Sequence, residues 1–175
     1  LAGAAGGRGR DATALLRGTL LASGGALSPF TRDNRQLTPE VLGVSSGSKR
    51  DAVIRYVHGE AGTLRDGYRL GDVYHSQPAI IGPPTADLAD RSFREFRSLD
   101  AIRQRARVLY TGTNDGILHA FDVDSGEELW GFIPPQLLGV LEDQIPARHR
   151  FYVDGEPVVR DMLLRRSRGR PARAA

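Results

Sequence analysis

Between Val108 and Ile133 the sequence VLYTGTNDGILHAFDVDSGEELWGFI sets apolar runs between clusters of turn-forming residues, and this pattern constrains the fold more than any other stretch. The run Val108–Thr111 stops at Thr113-Asn114-Asp115-Gly116, where Asp-Gly is suited to the positive φ angles of a two-residue hairpin turn. A second run, Ile117–Phe121, ends at Asp122-Val123-Asp124-Ser125-Gly126, where acidic side chains can accept from nearby backbone N–H groups and glycine permits the reversal. Glu127–Ile133 then supplies a third strand. Gln77-Pro78-Ala79-Ile80-Ile81 supplies a fourth, separated from the rest by an insertion.

Four short antiparallel strands in sequence order have the form of one blade of a β-propeller. A single blade buries its faces only against neighbours, and a closed propeller needs about four to eight of them. The chain of 175 residues has room for far fewer. A next blade is expected to open at Glu156-Pro157-Val158-Val159. The expectation is therefore a piece of a larger protein, lacking sequence at both ends and not folding stably alone: mainly β, a partial propeller with one full four-stranded blade and the start of the next, plus preceding and inserted short helices.

The segments around the blade divide as follows. Residues 1–37 read as a poorly structured lead, Gly-, Ala- and Arg-rich over 1–12, with a short helix expected at Leu15–Ala22. Residues 38–66 read as helical. Thr38-Pro39-Glu40 carries a hydroxyl cap, a proline for the first turn and an acid at the positive end of the dipole. Ser48, with Asp51 three residues later, marks a second start, after which Ala52, Val53, Tyr56 and Val57 share a face and Gly59 stops the helix. These helices are expected to pack at the edge of the sheet. Residues 67–163 form the propeller fragment. Within it, Phe93, Phe96, Leu99 and Ile102 recur every three residues and predict an amphipathic helix in the insertion. Pro134-Pro135 predicts a short helix through Leu137, Leu138 and Leu141, followed by a strand over His149–Val153 and a turn at Asp154-Gly155.

Charge argues against a nucleic-acid surface. Of 24 basic residues, Arg165, Arg166, Arg168, Arg170 and Arg173 lie in the tail, leaving 19 against 21 acidic residues before it. The body is thus slightly acidic, whereas nucleic-acid binding calls for a basic patch with stacking aromatics. The tail, residues 164–175, interrupts the strand begun at Val158 with low-complexity Arg, Ala, Gly and Pro. It reads as a reading-frame accident or a truncated gene end rather than a binding arm. The longest apolar run near the N-terminus, Ala12–Ala22, is broken by Arg17, so no membrane span is expected, and zero cysteines exclude disulfides and cysteine-based metal sites.

Ala120-x-Asp122-x-x-Ser125-Gly126-x-Glu128-x-Trp130 resembles the quinoprotein-like repeat, in which the tryptophan docks between blades and the alanine makes room for it. Ser125 stands in place of the usual threonine, and Trp130 is the only tryptophan. A more specific resemblance is to the C-terminal β-propeller of the PilY/PilC type IV pilus biogenesis and tip adhesin family. Tyr68-Arg69-Leu70-Gly71-Asp72-Val73-Tyr74-His75-Ser76-Gln77-Pro78 is similar to that family's W-x-L-G-D-I-x-H-S-x-P, with Tyr68 replacing tryptophan. Gly112-Thr113-Asn114-Asp115-Gly116-Ile117-Leu118-His119-Ala120-Phe121 is similar to its G-A-N-D-G-M-L-H-A-F. Phe132-Ile133-Pro134 and Tyr152-Val153-Asp154-Gly155-Glu156-Pro157 resemble its F-x-P and F-V-D-G-x-P elements, and Arg50–Glu60 looks like the helix leading into its propeller.

This resemblance implies a non-enzymatic surface protein that opposes pilus retraction, sits at the pilus tip with minor pilins, and contributes to adhesion on host or abiotic surfaces and to twitching motility. It implies an extracytoplasmic, pilus-associated location and calcium in the full-length family, bound by an acid-rich loop farther along the propeller. Asp122–Gly126 does not match such a loop: its glycine falls one place early and no carboxylate closes it. The alternatives are a quinoprotein (PQQ) dehydrogenase fragment, which would need many more repeats and cofactor-facing polar residues, or an outer-membrane assembly scaffold.

No catalytic, cofactor or metal residue is assigned. Asp72 and His75 suggest a metal or acid–base pair by spacing, but further ligands are missing, so hydrogen bonds that tie down the mouth of the first strand are the better reading. Ser76 and Ser125 lack a nucleophile-elbow context. The residues singled out are structural: Asn114, Asp115, Gly116, His119, Ala120, Asp122, Gly126 and Trp130 in the blade; Gly71, Asp72, His75, Ser76 and Pro78 leading into it; and Asp154, Gly155 and Pro157 after it.

Overall fold

The structure is a computed structural model that describes the backbone at residues 19–20 and the chain over residues 27–146 and 148–161. The expectations for residues 1–12, for the tail and for most of the 15–22 helix lie outside the described residues. Thr19–Leu20 within that last segment is a strand, β1, paired antiparallel with β2, Leu27–Ser28, and not helix.

The centre of the molecule is a four-stranded antiparallel meander, β3 (Ala79–Ile81), β4 (Val108–Gly112), β5 (Leu118–Asp122) and β6 (Glu128–Phe132), hydrogen-bonded in that order. The alternation of apolar residues with turn chemistry gives each strand nearly the bounds read from sequence. The β4–β5 connection differs in kind. Asp115 does not take positive φ and Gly116 alone does, at 94°, with Gly116 N donating to Thr113 O at 3.0 Å and Thr113 N to Ile117 O at 2.9 Å. This is a three-residue loop with a left-handed glycine, not a two-residue Asp-Gly turn. The β5–β6 turn is built by Asp122, whose Oδ1 accepts from Asp124 N at 3.0 Å and Ser125 N at 2.8 Å.

Ahead of the sheet, Thr38–Gly43 makes a single helical turn, with Leu42 N donating to Thr38 O at 3.2 Å. The helix α1, Gly47–Val57, is capped by Ser46, whose hydroxyl accepts from Lys49 N, rather than by Ser48, which falls in the first turn. It ends at Gly59 as expected, with φ 61° just beyond the cap residue His58. Val53, Ile54 and Val57 form its buried face. A 3-10 helix over Pro135–Gln144 follows β6, with Pro at its first turn.

The core sits where α1, the preceding loop, the β4–β5 turn and the 3-10 helix converge: Phe30, Leu37, Leu42, Val44, Val53, Ile54, Val57, Ile117, Ile133, Leu138 and Leu141. Each such buried side chain contributes about 1.5–3 kcal/mol. The α1 segment therefore shares a core with the β4–β5 turn at the end of the sheet, not with an edge strand, while the sheet faces stay half open.

Three expected elements are altered. The insertion forms two helices, α2 (Arg91–Ser98) and α3 (Asp100–Arg103), because Leu99 adopts an extended conformation at φ −62°, ψ 131°. The Ser98 hydroxyl donates to Glu95 O at 2.7 Å, a local bond that competes with continuation, and neither helix buries a residue that would hold the break closed. Neither His149–Val153 nor Glu156–Val159 is a strand. Val158 is 79% exposed, and extended chain becomes a strand only against a ladder partner.

Candidate functional site

Three stretches that are remote in sequence meet beside the β4–β5 turn: the lead-in segment 68–78, the turn itself, and the return segment 148–157. Around their junction is a cleft of about 180 Å³ lined by Tyr56, Arg65, Asp72, Asn114, Asp115, Gln144, Arg148, His149 and Arg150.

Asp115 anchors the junction. Its carboxylate pairs with Arg65 and accepts from the Thr113 hydroxyl, and its backbone O accepts from Gln144 Nε2 at 2.9 Å. The two charged side chains are only 11% and 7% exposed, so each is held in the interior by the other. Arg65 also lies over the Tyr56 ring, 5.1 Å from its centroid. Gly71 is required here because a Cβ would overlap the Asp115 carboxylate.

Asn114 ties the other two stretches together. Its backbone N donates to Asp72 O at 2.9 Å, its side-chain amide donates to the Asp72 carboxylate, and its carbonyl accepts from Tyr152 N at 3.1 Å. His149 Nε2 lies 2.8 Å from Asp72 Oδ2. Burial pushes the Asp72 carboxyl up, but hydrogen bonds from His149 and Asn114 outweigh it and hold the group below its ordinary value.

Asp72 and His75 do not pair with each other. His75 Nδ1 instead meets Asp154 Oδ2 at 2.9 Å, so both lead-in residues bond to partners more than seventy positions away. The buried Ser76 hydroxyl accepts from Gly112 N at 2.9 Å, which gives it a structural partner. Pro78 precedes β3, Pro157 is half-buried, and Gly155 is exposed.

The remaining residues singled out in the meander lie apart from the junction. Tyr110, Ala120 and Trp130 share one register row across β4, β5 and β6, and the two rings meet over the fully buried Ala120 methyl at 5.8 Å between centroids. His119 is buried against Glu128, Nδ1 to Oε1 2.6 Å, and its Nε2 has no hydrogen-bond partner among the described residues. In the Asp122–Gly126 turn Asp122 Oδ1 accepts from two backbone amides, which help to lower its pKa, and Asp124 is paired with Arg107. Among the described residues no group of three or more His, Asp or Glu side chains could hold a metal ion, and no helix is long and apolar enough to cross a membrane.

Arg65, Gln144 and His149 were missed by sequence reasoning. Arg65 sits 50 positions before Asp115 and His149 sits 77 after Asp72, distances at which no periodicity or spacing rule carries a signal. What the junction does chemically is bind the chain to itself: its carboxylates and imidazoles pair with one another and with the Asn114 Nδ2, while the buried Asn114 Oδ1 has no hydrogen-bond partner among the described residues.

Comparison with known proteins finds several similar chains that share one description. The chain is 36% identical over 104 residues to a type IV pilus biogenesis factor PilY1 homolog of Xylella fastidiosa, covering 53% of this chain and 8% of that protein. It is 39% identical over 103 residues to type IV pilus biogenesis factor PilY1 of Pseudomonas aeruginosa strain PAK, covering 53% of this chain and 9% of the relative. Against PilY1 of strain UCBPP-PA14 it is 33% identical over 115 residues, 55% of this chain and 10% of the relative. The chain is PilY1-like over about half its length, and it spans about a tenth or less of the length of these relatives. No family model matches it, and no solved structure does.

Proposed function

We propose that this chain contributes one blade, and the junction beside it, to the β-propeller of a type IV pilus biogenesis protein. The likeness to several PilY1 proteins at 33–39% identity carries this reading. The four-stranded meander supports it, with faces left half open for neighbouring blades. The role is non-enzymatic, as the description of the PilY1 relatives suggests, and the polar groups at the junction largely bond to one another and fix the path of the chain. The full-length protein acts outside the cytoplasm, at the pilus, where it opposes retraction, contacts tip and assembly proteins, and supports surface adhesion and twitching motility. Any calcium it binds is held by a loop outside this chain.

Deleting the gene in a piliated host and scoring surface pili tests the reading. Pili are expected to be lost, to return on complementation with the full-length gene, and to return when retraction is disabled instead. Unchanged piliation and motility in the deletion strain would overturn it.

A further inference from the structure

The junction carries two imidazole–carboxylate bridges of opposite sense. The lead-in segment gives the carboxylate of one, Asp72 to His149 at 2.8 Å, and the imidazole of the other, His75 to Asp154 at 2.9 Å. Both pairs are open to solvent, with side-chain exposures of 57% and 55% in the first and 60% and 35% in the second. Phe151 packs between them, its ring 4.7 Å from that of His149 and 5.8 Å from that of His75. Tyr74 closes the cluster at 5.8 Å from Phe151.

We propose that these two bridges form a proton-operated latch that fastens the return segment, residues 148–154, onto the lead-in segment in mildly acidic conditions and loosens it in alkaline ones. A neutral imidazole makes only a neutral hydrogen bond to carboxylate; a protonated one adds an ion pair. Because each bridge joins one imidazole to one carboxylate, protonation strengthens both in the same direction, whichever segment carries the imidazole. The latch weakens again only when the carboxylates themselves take up protons.

The two bridges have different surroundings. His149 shares its cleft with Arg65, Arg148 and Arg150, with Asp115, and with the uncharged Tyr56, Asn114 and Gln144, and Arg65 is paired with Asp115. His75 faces Asp154 and the rings of Tyr74 and Phe151.

The backbone amide of Tyr152 reports the latch directly, because its bond to Asn114 O at 3.1 Å exists only while the return segment is docked. Hydrogen exchange of that amide in the full-length protein, corrected for the intrinsic chemical rate, is measured at about pH 5.5 and about pH 8. Protection is expected to fall about fivefold across the interval, the combined effect of two exposed pairs, while the amide of Ala120 in β5 keeps its protection. His75→Gln should remove part of the change and His75→Gln with His149→Gln all of it. Should the double variant not fold, Asp154→Asn, which leaves the cleft untouched, should remove the same share as His75→Gln. A Tyr152 protection that does not change with pH, or a change that persists at full size in these variants, would overturn the proposal.

Discussion

The two halves of this molecule bury their apolar residues to very different degrees. Around α1 and the 3-10 helix, Leu37, Leu42 and Leu141 are fully buried and Ile54 and Val53 nearly so. On the sheet and its insertion, Ile80 is 61% exposed, Leu129 39% and Leu99 52%, and α2 buries nothing. The sheet has the more regular hydrogen bonding and the helical side has the core. A meander of four strands satisfies its internal backbone groups by itself, but each face needs a second layer, and here only the β4–β5 end receives one.

This contrast can be broken by mutation. The largest effect is expected at the hinge between the halves: Asp115→Asn strands Arg65 as an uncompensated buried charge and should cost about 3–5 kcal/mol. Equilibrium denaturation of the full-length protein, followed by hydrogen exchange at α1, would register it. A change below about 1 kcal/mol would mean that water reaches Arg65. Leu141→Ala removes a fully buried side chain from the core and should cost about 2–5 kcal/mol by the same measurement.

On the sheet side the expectation reverses. In the full-length protein Ile80→Ser should change stability by no more than about 0.5 kcal/mol if β3 stays open, because the side chain here already meets solvent. The same change should cost substantially more if a further layer covers β3. Equilibrium denaturation of wild type and variant distinguishes the two.

The smallest effect is electrostatic. Asp72 has a folded-state pKa below its ordinary value, so its contribution to stability is present above the ordinary carboxylate range and is lost as pH falls through the lowered value. Acid titration of the junction, with Asp72→Asn as reference, should show wild type losing its advantage below about pH 4. An advantage that grows on acidification would reverse the assignment.

Much of the fold could be read locally. Turn residues at Thr113–Gly116 and Asp122–Gly126 punctuate apolar runs, and each signal acts within a few residues, so the meander and its order followed directly. The end of α1 at Gly59 was legible for the same reason. Local signals failed where a competing local bond or a missing partner decided the outcome. Ser46 took the cap that Ser48 could also have supplied, Ser98 turned its hydroxyl back on the helix, and His149–Val153 found a backbone bond from Tyr152 to Asn114 instead of a ladder.

The sequence by itself determined the four strands of the meander, the positions of their turns and the choice of small residues at Gly116 and Ala120, because these depend on backbone conformation and side-chain volume within one hairpin. Tertiary structure alone decided that Arg65 would meet Asp115, that Asp72 would meet Asn114 and His149, and that His75 would reach Asp154, partners 50, 42, 77 and 79 positions apart. Such pairs arise from the path of the chain around a shared core. That path is fixed by the sum of many burials, which no short window of sequence contains.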